Sequence, residues 1–118
     1  MAAKDDLGRR GEDLAVAYLE GAGLSIVDRN WRCPLGEIDI VARDRTELVF
    51  VEVKTRSSLA FGHPLEAITV VKLARLRRLA AAWCDAHPAR FSGIRIDALA
   101  IVAPDTRDVS IEHLERVF

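Results

Sequence analysis

GEIDIVARDRTELVFVEVK, Gly36 to Lys54, reads as two apolar strands joined by a short polar turn. Three acids, Glu37, Asp39 and Glu52, and one lysine, Lys54, interrupt the apolar runs. Among packed strands a charge costs roughly several kcal/mol unless something pairs with it. Side chains alternate along a strand, so Glu52 and Lys54 share one face and Val49, Val51 and Val53 the other. In the preceding strand Glu37, Asp39 and Val41 are expected on a face opposite Ile38, Ile40 and Ala42. An antiparallel hairpin whose turn is centred between Arg45 and Thr46 brings the charged sets together. That register sets Val41 across from Phe50, Asp39 from Glu52 and Glu37 from Lys54.

Two directly opposed carboxylates, with Cβ atoms roughly 5 Å apart, repel and destabilise a sheet. A divalent cation reverses the sign, because Mg²⁺ or Mn²⁺ is held by one or two carboxylates together with water and phosphate oxygens. Asp39 and Glu52 are therefore the expected metal ligands. Lys54, about 7 Å along the strand from Glu52, is placed to meet a water or a phosphate beside them. The chemistry served by such a set is attack of water on a phosphodiester. The bland alternative is a hairpin whose charges face water and deter aggregation.

Around this hairpin the chain reads as α, β, β, β, α, β and a tail. Leu7, Leu14, Ala15, Tyr18 and Leu19 recur at helical spacing from Asp5 to Gly21. Gly8 and Gly11 lie near that stripe and allow close approach to whatever lies beneath. Leu24–Trp31 alternates as a strand ended by CPLG, and SSLAFGHP is expected to loop. A second helix runs from Leu65 or Thr69 to about His87, with Leu73, Leu76, Leu79, Ala80 and Trp83 on one stripe. Ile94–Val102 is a near-continuous apolar strand that suits the middle of a sheet. APDTRD turns, and SIEHLERVF closes as a strand or a short helix.

With 118 residues, half of them hydrophobic and 30% charged, the chain suits a single soluble domain spanning residues 1–118. The net charge of −1 shows no global basic bias, so nucleic-acid binding would need a local patch. The charged N-terminus and the lack of a long apolar run point to the cytoplasm, with no membrane partner. Cys33 and Cys84 are far apart, outside any CxxC pair, and read as buried free thiols.

Asp39 followed by Glu52-Val53-Lys54 resembles the PD-(D/E)XK nuclease signature, with Ile38 in place of its proline. The wider set GRRGEDLAVAYL, NWR, GEIDIVA, FVEVKTR and KLARLRRLAAAW resembles the YraN-like family, over nearly the whole chain. The resemblance implies a restriction-endonuclease-like α/β core in αβββαβ order, a central mixed sheet flanked by helices, similar to archaeal Holliday junction resolvases. It also implies a Mg²⁺-dependent endonuclease that hydrolyses DNA, branched or structured DNA included, with Glu12 joining Asp39, Glu52 and Lys54 at the catalytic site. A nucleic-acid or protein-binding module that keeps this fold without turnover is the alternative, and an RNA-directed activity is a third.

Glu37 is expected to pair with Lys54 or a basic loop, or to act as an accessory ligand. Lys72 falls between Leu79 and Leu76 on the wheel, within the apolar stripe, and must snorkel or reach a polar cleft. With Arg75 and Arg56 it is the expected contact to nucleic-acid phosphate, while Arg9, Arg10 and Arg32 flank the same region. Trp31 and Trp83 read as core or interface aromatics, His63 as a loop residue that either touches substrate or, as is commoner for a loop histidine, has no role, and His87 and His113 as silent. A nuclease this short often works as a homodimer, for which the apolar tail or the Trp31 region would supply the interface.

Overall fold

The computed structural model describes residues 2–60, 62–88, 91–104 and 108–117, with side chains from Asp6 onward. Its elements are α1 (Ala2–Gly21), β1 (Ser25–Cys33), β2 (Gly36–Asp44), β3 (Glu47–Arg56), α2 (Val70–Ala86), β4 (Gly93–Val102) and β5 (Ser110–Leu114). A 3₁₀ turn, Pro64–Ala67, precedes α2. The sheet runs β1-β2-β3-β4-β5. All neighbours are antiparallel except β3 and β4, whose parallel step is bridged by α2. This is a five-stranded mixed sheet with a helix on either side, and the ambiguous tail resolves as its fifth strand. Phe61 in SSLAFGHP and residues 105–107 in APDTRD lie outside the described residues.

Each sheet face has its own core. Ala15 and Leu19 of α1 cover Ile40, Ala42, Val49, Val51, Leu99 and Ile101. Leu73, Leu76, Leu79, Ala80 and Trp83 of α2 cover Val41, Leu48, Phe50 and Ile96. Strands buried on both faces are apolar at consecutive positions, which is why β4 shows little alternation. The helix stop expected at Gly21 and Gly23 is a Schellman cap: Leu24 N–H donates to Leu19 C=O and Gly23 N–H to Glu20 C=O, with Gly23 at φ 96°. Thr69 caps α2 by accepting from the Lys72 N–H. Gly11 is where α1 crosses β3, for a Cβ there would overlap the Thr55 hydroxyl and lie 2.7 Å from the Thr55 Cβ.

The β2–β3 hairpin has the expected register from Asp44↔Glu47 through Val41↔Phe50 to Ile40↔Val51, and Arg45 in the turn takes φ 59°. There the ladder ends. Instead of lying as a ladder partner of Glu52, Asp39 accepts the Val53 N–H on its own Oδ2 at 3.0 Å. Strict alternation also fails at this point. Ile38 packs with Val41 on the α2 side, although Ile40 and Ala42 pack on the α1 side. The cause lies partly in β1, where a bulge falls between Ile26 and Asp28 and Asn30 adopts φ 52° between the pairs Arg29↔Ile40 and Trp31↔Ile38. Beyond Ile40, β2 follows β1 and parts from β3.

Candidate active site

The parting of β2 and β3 leaves a cavity of about 210 Å³ under the first turns of α2. Glu37, Asp39 and Glu52 enter it from the strands and Lys72 and Arg75 from α2, above Leu76 and Leu79. A second cavity of about 340 Å³ lies on the α1 side of the same strand end. Glu12 and Gly8 line it from α1, and Lys54, Arg56, Ser57 and Ser58 from β3 and the residues after it. All eight residues singled out in the sequence thus gather around the open end of β3.

Burial raises the Asp39 carboxyl from 3.8 to about 7, aided by the charges of Glu52, Glu12 and Glu37 and opposed by the Val53 N–H. Burial raises Glu52 as well, against the pull of Lys72, Arg75 and Lys54. The effect of Glu12 on Asp39 and of Lys54 on Glu52 ties the two cavities into one electrostatic unit. Two half-buried carboxylates that both resist ionisation are a poor arrangement for a sheet and a good one for a cation.

The donor set fits a hard divalent ion that keeps much of its water. Among the described residues no group of three or more His, Cys, Asp or Glu side chains is close enough to hold a metal. Asp39 and Glu52 would supply two oxygens, and water or substrate oxygens the rest, as Mg²⁺ commonly requires.

The cations sort into two groups. Arg9 pairs with Asp6, Arg29 with Asp13, Arg32 with Glu37, Arg95 with Asp97 and Asp44, and Arg116 with Glu47. Arg10 donates to the Ala103 carbonyl at 2.8 Å. By contrast, no carboxylate of the described residues lies within ion-pair distance of Lys54, Arg56, Lys72 or Arg75, nor of Arg43, Arg45 and Arg78, which line neither cavity. Arg9 and Arg32 sit in exposed surface pairs and Arg10 turns to a backbone carbonyl, which matches the surface role open to each of them. Glu37 pairs with Arg32 at 3.5 Å rather than with Lys54, because the hairpin ladder stops before it reaches them.

One histidine corrects the sequence reading, and a second keeps to its structural alternative. His113, expected to be silent, accepts or donates at both ring nitrogens, to Asp97 at 2.7 Å and Tyr18 at 3.2 Å. Asp97 is fully buried and also receives Arg95 Nε and the Arg116 N–H. This network locks β4, β5 and α1 together. His63 caps the 3₁₀ turn and pairs with Glu112 at 3.4 Å, outside both cavities' linings. Trp83 is buried, as expected of a core aromatic, and donates to Asp28 at 2.9 Å while stacking on His87. Cys33 and Cys84 are free and half-buried.

The fold and site define a small α/β domain whose mixed sheet opens at one strand end onto paired carboxylates ringed by free cations. The chain belongs to the Uncharacterised protein family UPF0102, whose model matches residues 11–101. A UPF0102 protein of Arthrobacter sp. (strain FB24) is 58% identical over 117 residues, covering 99% of each chain. One of Beutenbergia cavernae is 57% identical over 117 residues, again 99% of each. One of Frankia casuarinae is 49% identical over 118 residues, the full length of both. The matched span contains Glu12, Asp39, Glu52, Lys54, Lys72 and Arg75. No helix among the described residues is long and apolar enough to cross a membrane.

Proposed function

We propose that this protein is a metal-dependent nuclease of the PD-(D/E)XK type that hydrolyses DNA phosphodiester bonds, with branched or structured DNA the substrate class to test first. The observation that carries the reading is the pair Asp39 and Glu52 in one cavity with Lys72 and Arg75, both acids pushed toward the neutral form, while Lys54 and Arg56 line the neighbouring cavity and none of these four cations has a carboxylate of the described residues within ion-pair distance. A structural hairpin would spend those cations on those acids. A metal with a phosphodiester uses both sets.

Asp39 and Glu52 would hold Mg²⁺, for which Mn²⁺ is a natural substitute, and the ion would offset phosphate charge and make water a better nucleophile. Asp39 is held in place by the Val53 N–H, so its free oxygen has a fixed direction. Lys54 extends from the adjacent strand end, where an ammonium can orient the attacking water and stabilise charge on the phosphoryl oxygens. Glu12, on α1, adds a carboxylate near Asp39 and assists the acid pair. Lys72 and Arg75, at the amino-terminal half of α2, would bind phosphates beside the reacting one. Water adds to phosphorus, the ester oxygen leaves, and the products are a phosphomonoester and a hydroxyl. The restriction-endonuclease-like fold and a homodimer that presents two such sites belong to the same proposal.

The test is a panel of single-stranded, duplex, flap and four-way DNAs, with RNA counterparts, incubated with Mg²⁺ or Mn²⁺. Wild type should cut at least one DNA, while Lys54→Ala and Asp39→Asn remain folded and do not cut. Binding without cutting, with affinity unchanged or raised by Asp39→Asn, would replace the nuclease with a non-catalytic binding module. Preferential cutting of RNA would redirect the reading to that substrate.

A further inference from the structure

We infer that the cavity on the α1 side of β3 is a second phosphate-binding subsite, built on Arg56 with the Ser57–Ser58 segment, so that a nucleic-acid strand straddles the open end of β3. The inference rests on the nuclease reading for its ligand, and on separate residues for its geometry.

Arg56 is the last residue of β3, half-buried, and lines the 340 Å³ cavity. Its Nε is covered from water and has no hydrogen-bond partner, which stands out among the described residues. A buried guanidinium N–H without an acceptor carries an uncompensated desolvation cost, larger because the group is charged. Its neighbour Arg10 meets that need with the carbonyls of Ala103 and Pro104. Turning the guanidinium fork onto an anion in the cavity would supply the missing acceptor in the bidentate geometry that arginine offers phosphate.

The rest of the lining suits the same ligand. Ser57 and Ser58 are exposed and bring hydroxyls and backbone N–H groups to the rim. Gly8 leaves its side of the cavity open, with nothing within 4 Å of where a Cβ would stand. Among the described residues Glu12 is the one carboxylate in the lining, set against the two cations Lys54 and Arg56, and it is not within ion-pair distance of either. Lys72 and Arg75 offer phosphate contacts on the α2 side, and Arg56 offers one on the α1 side. Lys54 and Glu12 share the α1-side cavity with Arg56, and Asp39 and Glu52 share the α2-side cavity with Lys72 and Arg75.

The subsite is tested on the metal-free protein by ¹⁵N–¹H NMR with inorganic phosphate, against chloride at matched ionic strength and pH. Phosphate should move the Arg56 Nε–H and the Ser57 and Ser58 amides saturably, and leave the Nε–H signals of Arg9 and Arg116 in place. In R56Q the serine amides should no longer respond, and R56K should respond more weakly than wild type. On duplex DNA in EDTA, R56Q should lower the slope of log affinity against log salt by about 0.9, one phosphate contact. An unmoved Arg56 Nε–H, or equal shifts with chloride, would overturn the subsite even if the protein cuts DNA. Phosphate binding at Arg56 in a protein that cuts no nucleic acid would keep the subsite and remove the nuclease.

Discussion

Asp39→Asn removes one charge while keeping the side chain's size and an oxygen for the Val53 N–H. In the native protein burial and then the neighbouring acids lift this carboxyl from 3.8 to about 7. The native state therefore keeps a proton, between those two values, that the unfolded chain has lost. The contribution of Asp39 to stability is greatest below about pH 4, declines as pH rises to about 7 and is level above it. Each pKa unit corresponds to about 1.4 kcal/mol, so the native state at alkaline pH carries a burden of roughly 4 kcal/mol at most. Part of the side chain stays accessible, so Asp39→Asn should stabilise the metal-free protein by about 2–4 kcal/mol at about pH 8.5 and by almost nothing near pH 4. Urea unfolding in EDTA at the two pH values measures this as a midpoint shift at constant slope. Adding Mg²⁺ should then stabilise wild type and leave the variant unchanged. An Asn variant no more stable than wild type at the higher pH, or equally affected at both, would refute the reasoning that Asp39 is held in an anion-hostile place.

Gly11→Ala should destabilise by about 1–3 kcal/mol through overlap with Thr55, with partial recovery in the Gly11→Ala, Thr55→Ala double variant, both read by denaturation. Asp97→Ala should cost about 3–5 kcal/mol, because it takes the Nε-side acceptor from Arg95, itself only 5% exposed and left with Asp44, and removes the partner of His113 Nε2 and of the Arg116 N–H. Lys72→Ala and Arg75→Ala should each weaken DNA binding and lower its salt slope by about 0.9, with the fold intact by circular dichroism.

The hairpin was legible because period-2 alternation and a two-residue turn admit one register that keeps charges together. Helix α2 was legible from its stripe, and Lys72 from its misfit within that stripe. The break at Asp39 was not. It depends on a bulge near Val27 and on the left-handed backbone at Asn30, both of which a strand-like pattern in the neighbouring segment conceals. Asn tolerates positive φ better than most residues, which is the one local sign the sequence offers. The network at His113 was hidden for a different reason. Arg95 and Asp97 stand two apart in an apolar central strand, and so on one face. That spacing signals a buried ion pair, but the histidine and tyrosine completing the network come from β5 and α1, distant in sequence. Likewise, only the folded chain shows which cations meet local acids, as Arg9 meets Asp6 and Arg32 meets Glu37.

Crystals soaked in Mn²⁺ and measured for anomalous scattering test the metal site most directly. The account predicts a peak within coordination distance of one Asp39 oxygen and one Glu52 oxygen, lost in Asp39→Asn. Crystals with no anomalous peak in that cavity at millimolar Mn²⁺, or with Mn²⁺ bound only elsewhere, would contradict it.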